Sequence, residues 1–267
     1  MKNTHFLKAI VTITITFSSF QSCKWGSEQL DPRGKNIICV VDFSDSKNSE
    51  ERLQFYMNVI KTNIIPNLGL YDKISVLPID KASITNSSDI FLNDLSSKDF
   101  EPEMASPMEV DEITLDNLKA YKDTMALEFI KKFQQAIDSR SKSNHGTDIF
   151  GALQMVKGKL RPNDDNFVIM LSDMMNWSNT LNMEPDNKDF NYVNIDRILT
   201  TVPNYEMPNT TVLVLTAEQV EVSPEQFKLV QDFWTRYFEN NKMILYDYNS
   251  ASVSKLDMLM ALPVAEQ

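Results

Sequence analysis

The chain has 267 residues, 42% apolar and 24% charged, a balance ordinary for a globular protein and sufficient for a sizeable core. Only six glycines and 11 prolines are present, which excludes collagen-like and low-complexity classes. The net charge is −11; because the first 22 residues contribute +2, the rest carries −13, and no cluster of Lys and Arg is visible, which argues against a nucleic-acid partner.

The chain opens with Lys2 and Lys8, followed by "AIVTITITFSSF" over residues 9–20. That run is shorter than the ~20 apolar residues a membrane-spanning helix needs. It matches the core of a signal peptide. "FQSC" then resembles the lipobox of bacterial lipoproteins, with Cys23 as the residue that receives lipid, although Phe20 stands where leucine is usual. The resemblance implies a signal peptide over residues 1–22, a lipid-anchored tether over 23–35 and an exported protein of the bacterial cell envelope. The membrane would be reached through the lipid anchor only. A plain cleaved signal peptide and a Thr-rich β-segment are the competing readings. Cys39 is then left alone in an apolar run, where a cysteine acts as a small buried hydrophobe. With no disulfide framework, the fold must stand on its core.

The domain is expected over residues 36–267. Residues 37–42 read as a buried parallel strand, short and β-branched without alternation. Asn48 and Glu51 form a capping box for a helix whose stripe is Leu53, Tyr56, Met57, Ile60 and Ile64, ending before Pro66. "KISVLPID" (73–80) is a second strand. Residues 81–113 form an irregular insertion; from Asp94 to Asp116 the chain holds eight acids and one lysine, the mark of a solvated segment. A long helix over about 115–140 carries Leu118, Tyr121, Met125, Phe129, Phe133 and Ile137. After the loop 141–148, a helix spans about 149–159 and a buried strand spans 166–173. Residues 174–208 form a second insertion with one short helix near 195–201. "TTVLVLTA" (210–217) is a strand. Ser223-Pro224-Glu225-Gln226 starts a helix with a cap, an N1 proline and a box-closing glutamine. "MILYDY" (243–248) is the last clear strand. Strand and helix alternate, which predicts an α/β fold: a doubly wound, mainly parallel sheet flanked by helices. Such sheets bind ligands beyond the carboxyl ends of their strands.

Three segments fall at those ends. "DFSDS" (42–46) follows the first strand as D-x-S-x-S, "GTDIFGAL" (146–153) carries Thr147 before a helix, and "VIMLSD" (168–173) ends on Asp173. Together they resemble the metal-ion-dependent adhesion site (MIDAS) of von Willebrand factor type A domains, over about residues 36–250. The resemblance implies that Ser44 and Ser46 bind a metal directly, Thr147 directly or through water, and Asp42 and Asp173 mainly through waters. Every candidate ligand is an oxygen, which suits Mg²⁺, or Mn²⁺ or Ca²⁺, and makes zinc a poor fit. Three neutral hydroxyls leave much of the ion's charge uncompensated, so a partner's Asp or Glu can complete the coordination. The implied function is a divalent-cation-dependent protein-binding module for adhesion or assembly, without catalysis. Met174 stands where the family commonly has glycine, and Asp45 adds charge beside the site.

Each segment also has a plain structural reading: a turn with a helix cap for "DFSDS", a cap for Thr147, a strand end for Asp173. Two other functions remain open. A phosphatase-like hydrolase is suggested by "VVDFSDS", but that chemistry needs a second aspartate where Ser44 stands, and a base near the ion; His145 is the only histidine outside the leader. A structural assembly component with a vestigial metal site is the other.

Overall fold

The structure is a computed structural model that describes residues 34–44, 49–81, 83–84, 88–98, 100, 110–140, 146–217, 222–249 and 253–261. All of them belong to one compact unit, Pro32–Gln267. Residues 1–33, with the expected signal peptide and Cys23, and Asp45, Ser46, Asn48 and His145 lie outside the described residues. Among the described residues no helix is long and apolar enough to cross a membrane.

Six strands form one sheet: β1 (Lys35–Asp42), β2 (Lys73–Ile79), β3 (Phe91–Asp94), β4 (Asp165–Leu171), β5 (Thr210–Leu215) and β6 (Ile244–Asn249). The order is β3-β2-β1-β4-β5-β6. β1 pairs in parallel with β2 and with β4, and β4, β5 and β6 continue in parallel. β1 is central and buried from Asn36 to Asp42, which is why its sequence is a continuous apolar run. Its side chains alternate between two layers. Ile37, Cys39 and Val41 join one core, built with α1 (Ser49–Val59), α2 (Val110–Arg140) and α6 (Val253–Ala261). Ile38 and Val40 join the other, built with α3 (Ile149–Lys157), α4 (Ile195–Leu199) and α5 (Pro224–Asn240). The doubly wound, mainly parallel expectation therefore holds.

Four details depart from the sequence reading. The segment 81–113 is not irregular throughout: β3 adds an antiparallel edge to β2, pairing Phe91 with Val76 and Asp94 with Lys73. α2 begins at Val110, inside the stretch assigned to that insertion. After α1 the chain does not stop before Pro66. It continues through a π turn, Ile60–Ile64, and a 3₁₀ turn, Ile65–Asn67, whose first turn tolerates a proline because its N–H is not needed there. Finally, α6 follows the last strand. The expected apolar stripes are buried: Leu53, Tyr56, Met57, Ile60 and Ile64 before the sheet's second strand, and Leu118, Met125, Phe129, Phe133 and Ile137 on α2. At the start of α5, Ser223 Oγ accepts from Gln226 N–H as expected. Gln226's side chain instead donates to the Met183 carbonyl, tying α5 to the second insertion.

Candidate metal centre

The parallel strands β1 and β4 run side by side with Val41 opposite Leu171, so their next residues emerge together at the carboxyl rim. Asp42 is the last residue of β1 and is fully buried. One carboxylate oxygen accepts from the Ser44 backbone N–H at 2.8 Å, curling the D-x-S turn back on the aspartate. The other accepts from the Ser172 hydroxyl at 2.9 Å. Ser172 in turn accepts from Met174 N–H at 2.9 Å, and Asp173 accepts from Met175 N–H at 2.8 Å. Asp42 and the loop after β4 are thus locked to each other through one serine.

Thr147 reaches the same rim by backbone contacts. Its N–H and carbonyl exchange 2.9 Å hydrogen bonds with Trp177, four residues after Asp173. The next residue, Asp148, donates its N–H to the Asp80 carbonyl at the end of β2. The turn needs Gly146, whose φ is 129° and whose missing Cβ would lie 3.1 Å from the Trp177 carbonyl. The cap of α3 is Asp148, which accepts from Gly151 N–H at 3.0 Å, so capping is not the part Thr147 plays. Burial, then the nearby charge of Asp80, raises the Asp148 pKa against the pull of Gly151 N–H.

The structure therefore joins Asp42 directly to the Ser44 turn and, through Ser172, to the loop that carries Asp173. It holds Thr147 on the same rim, while Ser46 lies outside the described residues. It also brings in residues that the sequence reading missed. Arg52, on the first turns of α1 and 9% exposed, donates to the Ser44 carbonyl at 2.7 Å and lies 3.8 Å from the Asp173 carboxylate. Arg52 precedes Tyr56 by four residues, so a cation beside the buried stripe of α1 was the available signal. The Tyr56 phenol is pushed well up, chiefly by burial; Arg52 opposes this, and Asp42 and Asp173 add to it. Tyr248 is raised in the same way, by burial and then by Asp173.

Met174 has φ 63°, the left-handed region that glycine occupies freely. The Met174 side chain is fully buried and its carbonyl accepts from Trp234 Nε1 at 2.7 Å, which holds the strained residue in place.

The donor chemistry fits a hard divalent cation. Asp42, Ser44, Thr147 and Asp173 present carboxylate and hydroxyl oxygens, and no His or Cys stands among them. Two further hydroxyls, Thr216 Oγ1 and Tyr248 Oη, are buried and have no hydrogen-bond partner among the described residues. Thr216 follows Leu215, which pairs with Leu171, so it stands level with Ser172 on this rim.

The parallel core, the antiparallel edge strand and the rim position of the motif segments define a von Willebrand factor type A-like α/β fold. No protein-family model matches the chain, and no curated protein matches it. Solved structures similar to it include proximal thread matrix protein 1 from the mussel byssus, at 13% identity and TM-score 0.41, covering 85% of this chain and 46% of that one. A further structure of that protein, with a zinc-occupied MIDAS motif, has 13% identity and TM-score 0.37 over the same shares. A von Willebrand factor type A protein from Catenulispora acidiphila has 9% identity and TM-score 0.38, covering 85% of this chain and 41% of that one. The chain spans less than half the length of these proteins.

Proposed function

We propose that this chain is a non-catalytic, divalent-cation-dependent protein-binding module that works in adhesion or assembly at the bacterial cell envelope. The observation that carries the reading is the junction at the sheet rim: Asp42 accepts from the Ser44 turn on one oxygen and from Ser172, the neighbour of Asp173, on the other. Two carboxylates from adjacent strands are held beside a hydroxyl-bearing turn, and Thr147 is stitched to the same edge. Asp42, Ser44, Ser46, Thr147 and Asp173 would hold Mg²⁺, with Mn²⁺ and Ca²⁺ as alternatives of the same oxygen preference. When bound, such an ion keeps uncompensated positive charge, which recognises an Asp or Glu carboxylate on a partner protein.

The protein's own part is preorganisation. Ser172 fixes the Asp42 carboxylate, and Met175 N–H fixes Asp173. Anchoring through Cys23 would place this face at the envelope surface or in the periplasm.

The test is thermal unfolding of the purified domain during titration with Mg²⁺, beside Ser44→Ala. A ligand that binds only the native state stabilises by about 2.7 kcal/mol at a hundred times its Kd. The unsubstituted domain should gain stability with Mg²⁺ and lose the gain in EDTA, while Ser44→Ala should gain none. Equal gains in both proteins would remove the site. Partner capture from envelope extracts should likewise depend on Mg²⁺ and vanish with EDTA.

A further inference from the structure

A cation already stands at this rim. Arg52 is nearly buried, and its guanidinium spans the two halves of the candidate site: the carbonyl of Ser44 on the β1 side at 2.7 Å and the carboxylate of Asp173 on the β4 side at 3.8 Å. Its position is set by α1, whose Tyr56, one turn further on, is fully buried. With Arg52 in place, two carboxylates and one guanidinium leave the rim at −1. A divalent ion added to that set makes it +1, against zero if the arginine were absent.

We infer that Arg52 is a tethered counter-cation of the metal site: it holds the Ser44 turn and Asp173 together when no ion is bound, and it competes with a divalent ion for Asp173. The inference rests on the metal-binding reading above and adds its regulation. Three consequences follow from the charges. The rim keeps its shape without metal, because a guanidinium fork bridges the same two segments that the ion would bridge. Metal affinity is lower than the donor set alone would give, because a unit positive charge stays nearby. With Arg52 present, the loaded set is one unit more positive than it would be without the arginine, which favours a partner carboxylate over a neutral side chain. Ion binding and partner binding are then coupled, since a carboxylate that joins the rim offsets the repulsion between ion and arginine.

The experiment uses Mn²⁺ alone as probe, measured by calorimetry on the unsubstituted protein, Arg52→Gln and Arg52→Lys, with the melting temperature of each recorded in EDTA. Arg52→Gln should bind Mn²⁺ at least ~10-fold more tightly, because a charge is removed from beside the ion. It should melt lower than the unsubstituted protein in EDTA and recover in excess Mn²⁺. Arg52→Lys keeps the charge and loses the fork, so its affinity should fall between the two; it carries the same test if Arg52→Gln does not fold. Tight binding by Arg52→Gln alone, abolished when Ser44→Ala is added, also supports the inference, with the arginine then dominating the native site. Affinity of Arg52→Gln equal to or weaker than that of the unsubstituted protein, with Ser44→Ala still abolishing binding, overturns the inference and leaves the metal site standing. Absence of binding in every variant overturns both.

Discussion

The two ends of the β1–β4 pair solve the same problem differently. At the amino end, Asn36 lies opposite Asn166, and both are buried. Asn36 Nδ2 donates to Asn166 Oδ1 at 2.8 Å and to the Lys159 carbonyl at 2.9 Å. Asn166 also accepts from Arg161 N–H and donates to the carbonyls of Arg161 and Asp164. At the carboxyl end, six residues along, the polar groups are Asp42, Ser172, Asp173 and Arg52. One pole buries neutral amides whose donors are met by the protein. The other buries charge. Neutral amides with good hydrogen bonds are inexpensive to bury, whereas a buried carboxylate loses several kcal/mol of hydration unless an opposite charge compensates it. The amino pole is a clasp. The carboxyl pole retains charges that a pure clasp would not need, which is the pattern expected of a site in use.

The largest effect should come from breaking the clasp. Asn166→Ala removes an acceptor shared by Asn36 and Arg161 and strands buried donors, so it should cost about 3 kcal/mol in urea unfolding. The Mg²⁺-induced gain in melting temperature should be unchanged, because the substitution lies at the far end of the strands. A loss of that gain would mean that the two poles are one mechanical unit.

That contrast was only half visible in the sequence. The carboxyl pole could be read because a parallel strand buried on both faces leaves an uninterrupted apolar run, and an aspartate at its end stands out. Asn36 and Asn166 each precede such a run and look like ordinary strand starts; only the register shows that they meet. β3 was missed because four residues, "FLND", inside a polar segment are too short for any periodicity to show. α6 was passed over after the last strand, although Leu256, Leu259 and Met260 are buried in the first core. Arg52 was missed because a charge beside an apolar stripe reads as solvated until its partners are known.

The strand between the poles carries Cys39, whose thiol is pushed far up by burial. Its folded pKa lies above the unfolded value of ~8.5, so the stability it contributes is complete below ~8.5 and falls as pH rises beyond it. The slope should approach about 1.4 kcal/mol per pH unit by pH ~10, steepening beyond that as unfolded tyrosines ionise while buried Tyr56, Tyr237 and Tyr248 do not. Unfolding between pH 8 and 10 measures it, and Cys39→Ala should flatten that interval. A flat profile in the unsubstituted protein would mean that the strand opens readily enough to ionise its thiol.

At the charged pole the backbone itself is strained. A left-handed non-glycine residue costs about 1 kcal/mol, so Met174→Gly should be more stable than Met174→Ala by about that much, the reverse of the usual order in which glycine is the poorer residue. Both should be less stable than the unsubstituted protein, because the Met174 side chain is fully buried. If alanine proves the better replacement, the left-handed turn is not held in solution.

The smallest change in stability, and the sharpest separation of the poles, is expected from Asp42→Asn. The amide oxygen can still accept from Ser44 N–H, and the amide nitrogen can donate to Ser172 Oγ in place of accepting from it, so the geometry of the rim survives with one bond reversed. A fully buried negative charge is removed in exchange. These effects oppose each other, and unfolding in EDTA should move by less than about 1 kcal/mol. The response to Mg²⁺ should nevertheless disappear, since the isosteric amide carries no charge for the ion. A loss as large as that of Asn166→Ala in EDTA would make Asp42 a second clasp, and an undiminished Mg²⁺ response would take it out of the metal site; either result would erase the distinction between the two ends of β1.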